Sequence, residues 1–340
     1  MNVLVLGGTG VISRAIVTLL LEKGHEVTVF NRGNRGLSFE GPVRQIIGDR
    51  NERIDFESRM RKESFDAVID MICFNEADAR STVTAFKGNT GQIVVCSSVA
   101  AYKRPYNSVP TVESAESLYD DPTFSYAFDK AQVERYLHKV THTQQLPITI
   151  IRPSLTYGPG AANIGVLRQN FGIIDRIRKQ KPLVMFGDGS TPWSFTFTPD
   201  LAKAFVGVLG NPQTYGQAYH ACSEQRCRWE DLYLEFGRVL GIEPHIIHIP
   251  SELLRIANPD LFSHLYFEKT FSGLFDNSKI RRVIKNFRCE ISLHEGIKMM
   301  VDWFEREANQ VDLEKDAMED RLADLHAGWK RQMQEFSTAA

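Results

Sequence analysis

Long apolar runs are absent from this chain of 340 residues. No stretch approaches the roughly 18 apolar residues that a membrane-spanning helix needs, so no span is expected. A secretory leader is not expected either, because the first residues already read as a strand. Charge bias is small: 40 Lys and Arg against 42 Asp and Glu leave a net charge of −2. Such a balance offers no field for nucleic acid or an anionic membrane, and neither is expected as a partner. Cysteine is scarce, odd in number and scattered, at 73, 96, 222, 227 and 289. That excludes a disulfide framework and reads as reduced, mostly buried thiols of a cytoplasmic protein. Cys222 and Cys227 lack a second ligand pair, and His245 and His248 lie in an apolar run, so no metal site is expected. No repeat or low-complexity stretch stands out. What remains is 43% hydrophobic content, enough for one large or two moderate cores of an ordinary soluble enzyme.

Three short stretches carry chemistry. Gly7-Gly8-Thr9-Gly10 follows the apolar run Val3–Leu6, and helix-period apolar residues then run from Val11 to Leu21 before Lys23-Gly24 closes the helix. Glycine at 7 and 10 lets a turn tighten and lets backbone approach a phosphate at a helix N-terminus. The third glycine of the usual fingerprint is replaced by Ser13, still small enough for close packing of helix on strand. Ser97-Ser98 ends the run Ile93–Cys96. Tyr126 precedes Lys130 by four residues, which sets both side chains on one helix face. A lysine held beside a phenol favours the phenolate, and Ser98 at a strand end can hydrogen-bond a substrate hydroxyl or carbonyl. The second strand ends at Asn31-Arg32-Gly33, where an acid would grip the ribose of NAD. The acid is missing, and Arg32 with Arg35 can accept a 2′-phosphate, so the expected cofactor is NAD or NADP with Arg32 favouring NADP.

Strand-like segments near 2–6, 26–30, 43–47, 66–72, 91–96 and 147–151 alternate with helical patterns. This predicts an α/β fold, a Rossmann doubly wound parallel sheet, with ligand at the strands' C-terminal ends where Gly7, Arg32, Cys73 and Ser98 lie. From about 160 the order becomes irregular and predicts a smaller C-terminal substrate-binding domain. The expected division is 1–160 for the dinucleotide, 161–305 for substrate, and a tail over 306–340. In that tail Met318, Leu322, Leu325, Trp329, Met333 and Phe336 recur at helical spacing. The tail either docks on its own subunit or pairs with another, so a homodimer is left open.

These residues resemble the extended short-chain dehydrogenase/reductases of the NAD-dependent epimerase/dehydratase family. Further matching landmarks are Gly48-Asp49, Ser97-Ser98 before Tyr102, Arg152-Pro153 with Tyr157-Gly158-Pro159-Gly160, Gly187-Asp188-Gly189, and Asp276-x-Ser278-Lys279. Asn31-Arg32-Gly33 and the C-terminal extension are also similar to a bacterial branch near the chloroplast stem-loop-binding proteins. The resemblance implies Ser98, Tyr126 and Lys130 as catalytic residues. It implies a cofactor site of Gly7, Thr9, Gly10, Val11, Ile12, Asn31, Arg32, Arg35, Asp49, Arg50, Met71, Ile72, Cys73, Ser97, Tyr126, Lys130 and Pro153. Substrate would meet Phe74, Ser98, Tyr126, Tyr157 and Trp193, and residues 193–215 would return to the first domain.

The departures narrow the chemistry. Dehydratases of the family place Asp-Glu after the catalytic Ser or Thr, whereas Val99-Ala100 stands here, with no acid to protonate a departing hydroxyl. Leu155 replaces an asparagine, and Pro192-Trp193-Ser194 replaces an arginine that would hold a substrate diphosphate. Trp193 is either an apolar stacking face or core. The expected activity is reversible hydride transfer at a secondary alcohol of a sugar or sugar derivative, as an epimerase. The alternatives are an NADP-dependent dehydrogenase or reductase of a hydroxylated small molecule, and a non-catalytic dinucleotide-binding or RNA-associated protein.

Overall fold

The computed structural model describes residues 1–340 except 35, 162, 163, 170, 308, 309, 339 and 340. Seven parallel strands form one sheet: β1 (Asn2–Leu6), β2 (Glu26–Asn31), β3 (Val43–Ile47), β4 (Ala67–Asp70), β5 (Ile93–Cys96), β6 (Ile148–Pro153) and β7 (Gln217–Ala221). Their order across the sheet is β7-β6-β5-β4-β1-β2-β3, so the chain steps outward on both sides from β1 and β4. The six strands read from the sequence are there; the seventh, Gln-Ala-Tyr-His-Ala, lacks an apolar run and was not among them.

Strand alternation divides the apolar side chains between two cores. Val3 and Val5 join Ile16, Val17 and Leu20 of helix α1 (Val11–Glu22) and Phe205 of the helix Thr198–Gly207. Leu4 and Leu6 face the opposite way, toward helices α2 (Arg53–Met60), α3 (Glu76–Phe86) and α4 (Ser125–Gln144), among Phe56, Phe86, Val133 and Leu137. Both faces of the sheet are therefore covered, which is why these strands read as continuous hydrophobic runs. Each fully buried side chain of this kind stabilises by about 1.5–3 kcal/mol.

The chain forms two compact units. The first comprises 1–156, 194–224 and 274–290; the second comprises 157–193, 225–273 and 291–340. These units divide the chain differently from the boundaries drawn from the sequence: 157–160 and 193 lie in the second unit, 216–224 and 274–290 belong to the first, and the tail is part of the second. In the second unit Leu183–Phe186 pairs in parallel with Ile246–Ile249, and Pro192–Trp193 pairs antiparallel with Cys227–Arg228. Trp193 and Trp229 are fully buried, their rings 6.0 Å apart, and Phe186 packs on Trp229 at 5.2 Å. Gly273 lies so close that a Cβ there would stand 2.3 Å from the Trp193 indole.

The C-terminal helix runs from Leu313 to Thr338, and its halves differ. Toward its start Glu319 and Leu322 are buried, while Leu325, Met333 and Phe336 farther along are exposed. Self-docking thus covers only the part where Glu319 accepts from the Val184 backbone N–H at 2.7 Å and from Gln169 at 2.6 Å. Among the described residues, no helix is long and apolar enough to cross a membrane.

Candidate active site

β1 ends where the backbone must turn sharply. Gly7 has φ +81°, and a Cβ on it would stand 2.5 Å from the Ile72 side chain; one on Gly8 would stand 2.4 Å from Val29. Those two positions require glycine for close packing. Gly10 is different: its φ is −73° and a Cβ would meet no protein atom nearer than 3.5 Å. Glycine there leaves room at the start of α1, with the first-turn N–H groups of the helix facing it.

A cavity of about 430 Å³ opens at this point, lined by Gly7, Thr9, Gly10, Asn31, Arg32, Asp49, Arg50, Ile72 and Phe74. It sits at the C-terminal ends of β1, β2 and β4, where the strand order reverses, the crevice that open parallel sheets use for ligands. Gly33, which closes the Asn31-Arg32-Gly33 stretch, lines it as well, as do Asn34, Asn51 and Asp78, which sequence reasoning did not name. Asn34 and Asn51 adjoin residues that were named; Asp78 sits in the first turn of α3 with no local signal. Asn31 Oδ1 accepts from the Gly33 N–H at 2.9 Å and from Gln45 at 2.8 Å, which leaves its Nδ2 donor buried without a partner among the described residues. An unpaired donor and an exposed Arg32 at the rim suit a ribose and its phosphate. Arg35 lies outside the described residues.

Several expected cofactor residues are oriented otherwise. The Arg50 guanidinium turns into the interior, bonding Asp70 at 2.9 and 3.0 Å and Thr82 at 2.7 Å, so only the remainder of Arg50 borders the cavity. The Ser97 hydroxyl donates to Glu134 at 2.5 Å rather than toward the cavity. Cys73 is wholly buried and burial pushes its thiol up, so what it presents is its carbonyl. Val11, Ile12 and Met71 flank the cavity in sequence without lining it, and Pro153 is buried at the end of β6.

The pair expected to handle the proton is built on α4. Tyr126 is the second residue of the helix and 44% exposed; Lys130, one turn on, is buried. Lys130 Nζ donates to the carbonyls of Cys73 at 2.8 Å and Cys96 at 2.9 Å, which fixes it against the ends of β4 and β5 and leaves one N–H. The Phe74 ring stands over the ammonium at 5.2 Å and joins it to the cavity. Burial works against the lysine's charge. Tyr126, with Cys96, Cys73 and Asp70, outweighs it, so Lys130 stands above an ordinary lysine and stays an ammonium at neutral pH. Ser98 Oγ accepts from the Ala100 N–H at 3.1 Å, capping the short turn Val99–Ala101, and so keeps its own proton to donate.

Tyr157 and Trp193, expected to meet substrate, are both fully buried. The Tyr157 hydroxyl donates to the Ser292 carbonyl at 3.3 Å, and Trp193 lies between Trp229, Gly273 and the Lys269 ammonium, 4.3 Å from its ring. For Trp193 this is the core alternative, because no face of the indole is left for stacking.

Residues 3–222 match the NAD-dependent epimerase/dehydratase family. The chain belongs to that family. Its enzymes are nicotinamide-dependent and of the extended short-chain dehydrogenase/reductase type. Among individual relatives, the chain is 28% identical to 2′-dehydrokanamycin reductase of Streptomyces kanamyceticus over 252 residues, 74% of this chain and 70% of that protein. It is 25% identical to the chloroplast stem-loop binding protein of 41 kDa b from Arabidopsis thaliana, over 73% of this chain and 65% of that protein. The fold is that of UDP-glucose 4-epimerase from Thermotoga maritima, with a TM-score of 0.71 at 18% identity, covering 90% of this chain and 99% of that one.

Proposed function

We propose that this protein is an NAD(P)-dependent epimerase that moves hydride reversibly at a secondary alcohol of a sugar derivative. The observation that carries the reading is the single helix face holding Tyr126 one turn from the buried, still-charged Lys130, with Ser98 Oγ accepting from the Ala100 N–H and so keeping its own proton to donate. Gly10, Asn31, Arg32 and Asp49 would hold the adenosine half of the cofactor, and Lys130 the nicotinamide ribose. When bound, the nicotinamide supplies the hydride acceptor and donor. Tyr126 takes the hydroxyl proton, Lys130 stabilises the phenolate, and Ser98 donates to the substrate oxygen.

Leu155 and a buried Trp193 offer no cation to a diphosphate, whose burial without partners costs several kcal/mol. A substrate with an apolar, aromatic or merely hydroxylated distal part fits better. A second reading, an exchanging NADP-dependent reductase, is favoured by Arg32 at the end of β2 and by the relative named for reducing 2′-dehydrokanamycin. Denaturing the purified protein and identifying released nucleotide separates the two: retained NAD(H) supports the epimerase, an empty site the reductase. Thermal-shift screening of UDP, GDP, nucleosides and glycosides tests the substrate. Strong stabilisation by UDP or GDP would overturn the exclusion of a diphosphate.

A further inference from the structure

The polar interior of the first unit holds one connected series of side chains that the scheme above leaves unused. Glu134 lies on α4 one turn beyond Lys130 and two beyond Tyr126, so the three share a face. Its fully buried carboxylate accepts from the Ser97 hydroxyl at 2.5 Å and from Arg152 Nε at 2.9 and 3.1 Å, and pairs closely with Arg152 Nη2. Arg152 Nη1 donates to the Tyr102 hydroxyl at 2.6 Å; that oxygen lies 2.6 Å from His220 Nε2, and His220 Nδ1 lies 3.1 Å from the Asp276 carbonyl. The hydrogens follow from chemistry. A guanidinium only donates, so Tyr102 accepts from it and sends its own proton to His220 Nε2. A carbonyl only accepts, so His220 carries its hydrogen on Nδ1 and is neutral. Burial first, then Arg152, pushes His220 down to about 3, in line with that assignment.

We propose that Glu134 is a positioning residue for the nicotinamide end of the site. Its carboxylate couples the helix bearing Tyr126 and Lys130 to the strand ends bearing Ser98 and Pro153. Two opposite charges one turn apart thereby fix α4 in register. Lys130 binds the ends of β4 and β5 through carbonyls, while Glu134 binds the ends of β5 and β6 through Ser97 and Arg152. An apolar face alone tolerates sliding, whereas directional bonds to charged groups do not. Tyr102 and His220 extend the same hold to β7 and the 276 loop by keeping Arg152 in one orientation.

The proposal rests on the reading of Lys130 as the nicotinamide-ribose residue, and its test separates the two. NADP⁺ and its fragment 2′,5′-ADP, with NAD⁺ and ADP as the parallel pair, are titrated into wild type, Ser97→Ala, Ser97→Thr and Glu134→Gln. In Ser97→Ala and Glu134→Gln the whole cofactor should bind about five- to tenfold more weakly, while the fragment, which never reaches α4, stays within about twofold. Ser97→Thr, which keeps the hydroxyl, should restore the whole-cofactor affinity. Equal losses for cofactor and fragment, or no loss in a folded variant, would overturn the positioning role. Should Glu134→Gln fail to fold because Arg152 is left without a counter-charge, the Ser97 pair decides. Wild type that binds fragment and cofactor with the same affinity overturns the Lys130 reading, and this proposal with it.

Discussion

Each unit buries one glutamate against one arginine, and the two pairs behave oppositely. In the first, Glu134 is held below the usual carboxylate range: burial opposes its charge, but Arg152 faces it with two nitrogens and Ser97 adds a donor. In the second, Glu319 is just as buried and also faces an arginine, Arg176, at 3.2 Å, yet burial pushes it up to about 7. The difference is dilution. Arg176 also answers Asp316 at 2.5 Å and Asp320 at 2.9 Å, both of which pair with Lys181 as well, so the arginine is divided among three carboxylates and the nearby Asp316 charge adds to the burial cost of Glu319. One arginine dedicated to one carboxylate makes a fixed brace; one arginine shared among three makes a fastening that responds to pH.

Breaking the shared pair should have the largest effect. Arg176→Met leaves Glu319 without its cation, while Asp316 keeps Lys181 at 3.0 Å, and should destabilise the second unit by about 3–5 kcal/mol, read as a lower urea midpoint. Its pH response follows from the raised Glu319. A carboxyl whose folded value lies above its ordinary 4.5 contributes stability below about 4.5 and loses it as pH rises through about 7. Asp316 and Asp320 are lowered instead, so their contribution is lost only under more acidic conditions. Stability of the second unit should therefore fall from about pH 5 to pH 7, and Glu319→Gln should flatten that slope. A flat wild-type profile would remove the contrast between the two glutamates.

In the first unit, Tyr126→Phe keeps the ring and removes the ionisable oxygen. Turnover should fall by at least about two orders of magnitude, some 2.7 kcal/mol, with folding and nucleotide binding intact. Near-normal turnover would take Tyr126 out of the mechanism. Arg32→Ala should weaken NADP more than NAD by roughly 1.5–3 kcal/mol, and equal losses in a two-nucleotide titration would make it a loop charge. The smallest effect belongs to the helix Leu293–Arg306, whose Ser292 accepts from the Glu295 N–H at 3.2 Å while Glu295 accepts from the Ser292 N–H at 2.9 Å. Ser292→Ala should cost about 1 kcal/mol in chemical denaturation and leave nucleotide affinity unchanged.

How much could be read from the sequence divides along the same line. The first unit writes its structure locally. Strand, glycine turn and helix are contiguous from residue 2 to 22, and Tyr126 and Lys130 sit one helical turn apart. The second unit is assembled from three separated stretches, and its decisive contacts span long distances in sequence. Whether Trp193 was core depended on Trp229 and Gly273. The docking of the C-terminal helix depended on Arg176, Val184 and Gln169, and no pattern within 306–340 announces them. Even in the first unit, the side-chain directions of Ser97 and Arg50 escaped the motif, because their partners Glu134 and Asp70 are 37 and 20 residues away.

The aromatic core of the second unit has an optical consequence. All four tryptophans, at 193, 229, 303 and 329, fall within its segments, and the first unit has none. Indole emission from the whole protein therefore originates in the second unit alone. Loss of the shared arginine should change that emission directly. The first unit, without an indole of its own, is followed by circular dichroism, by tyrosine absorbance or by the fluorescence of a reduced nicotinamide.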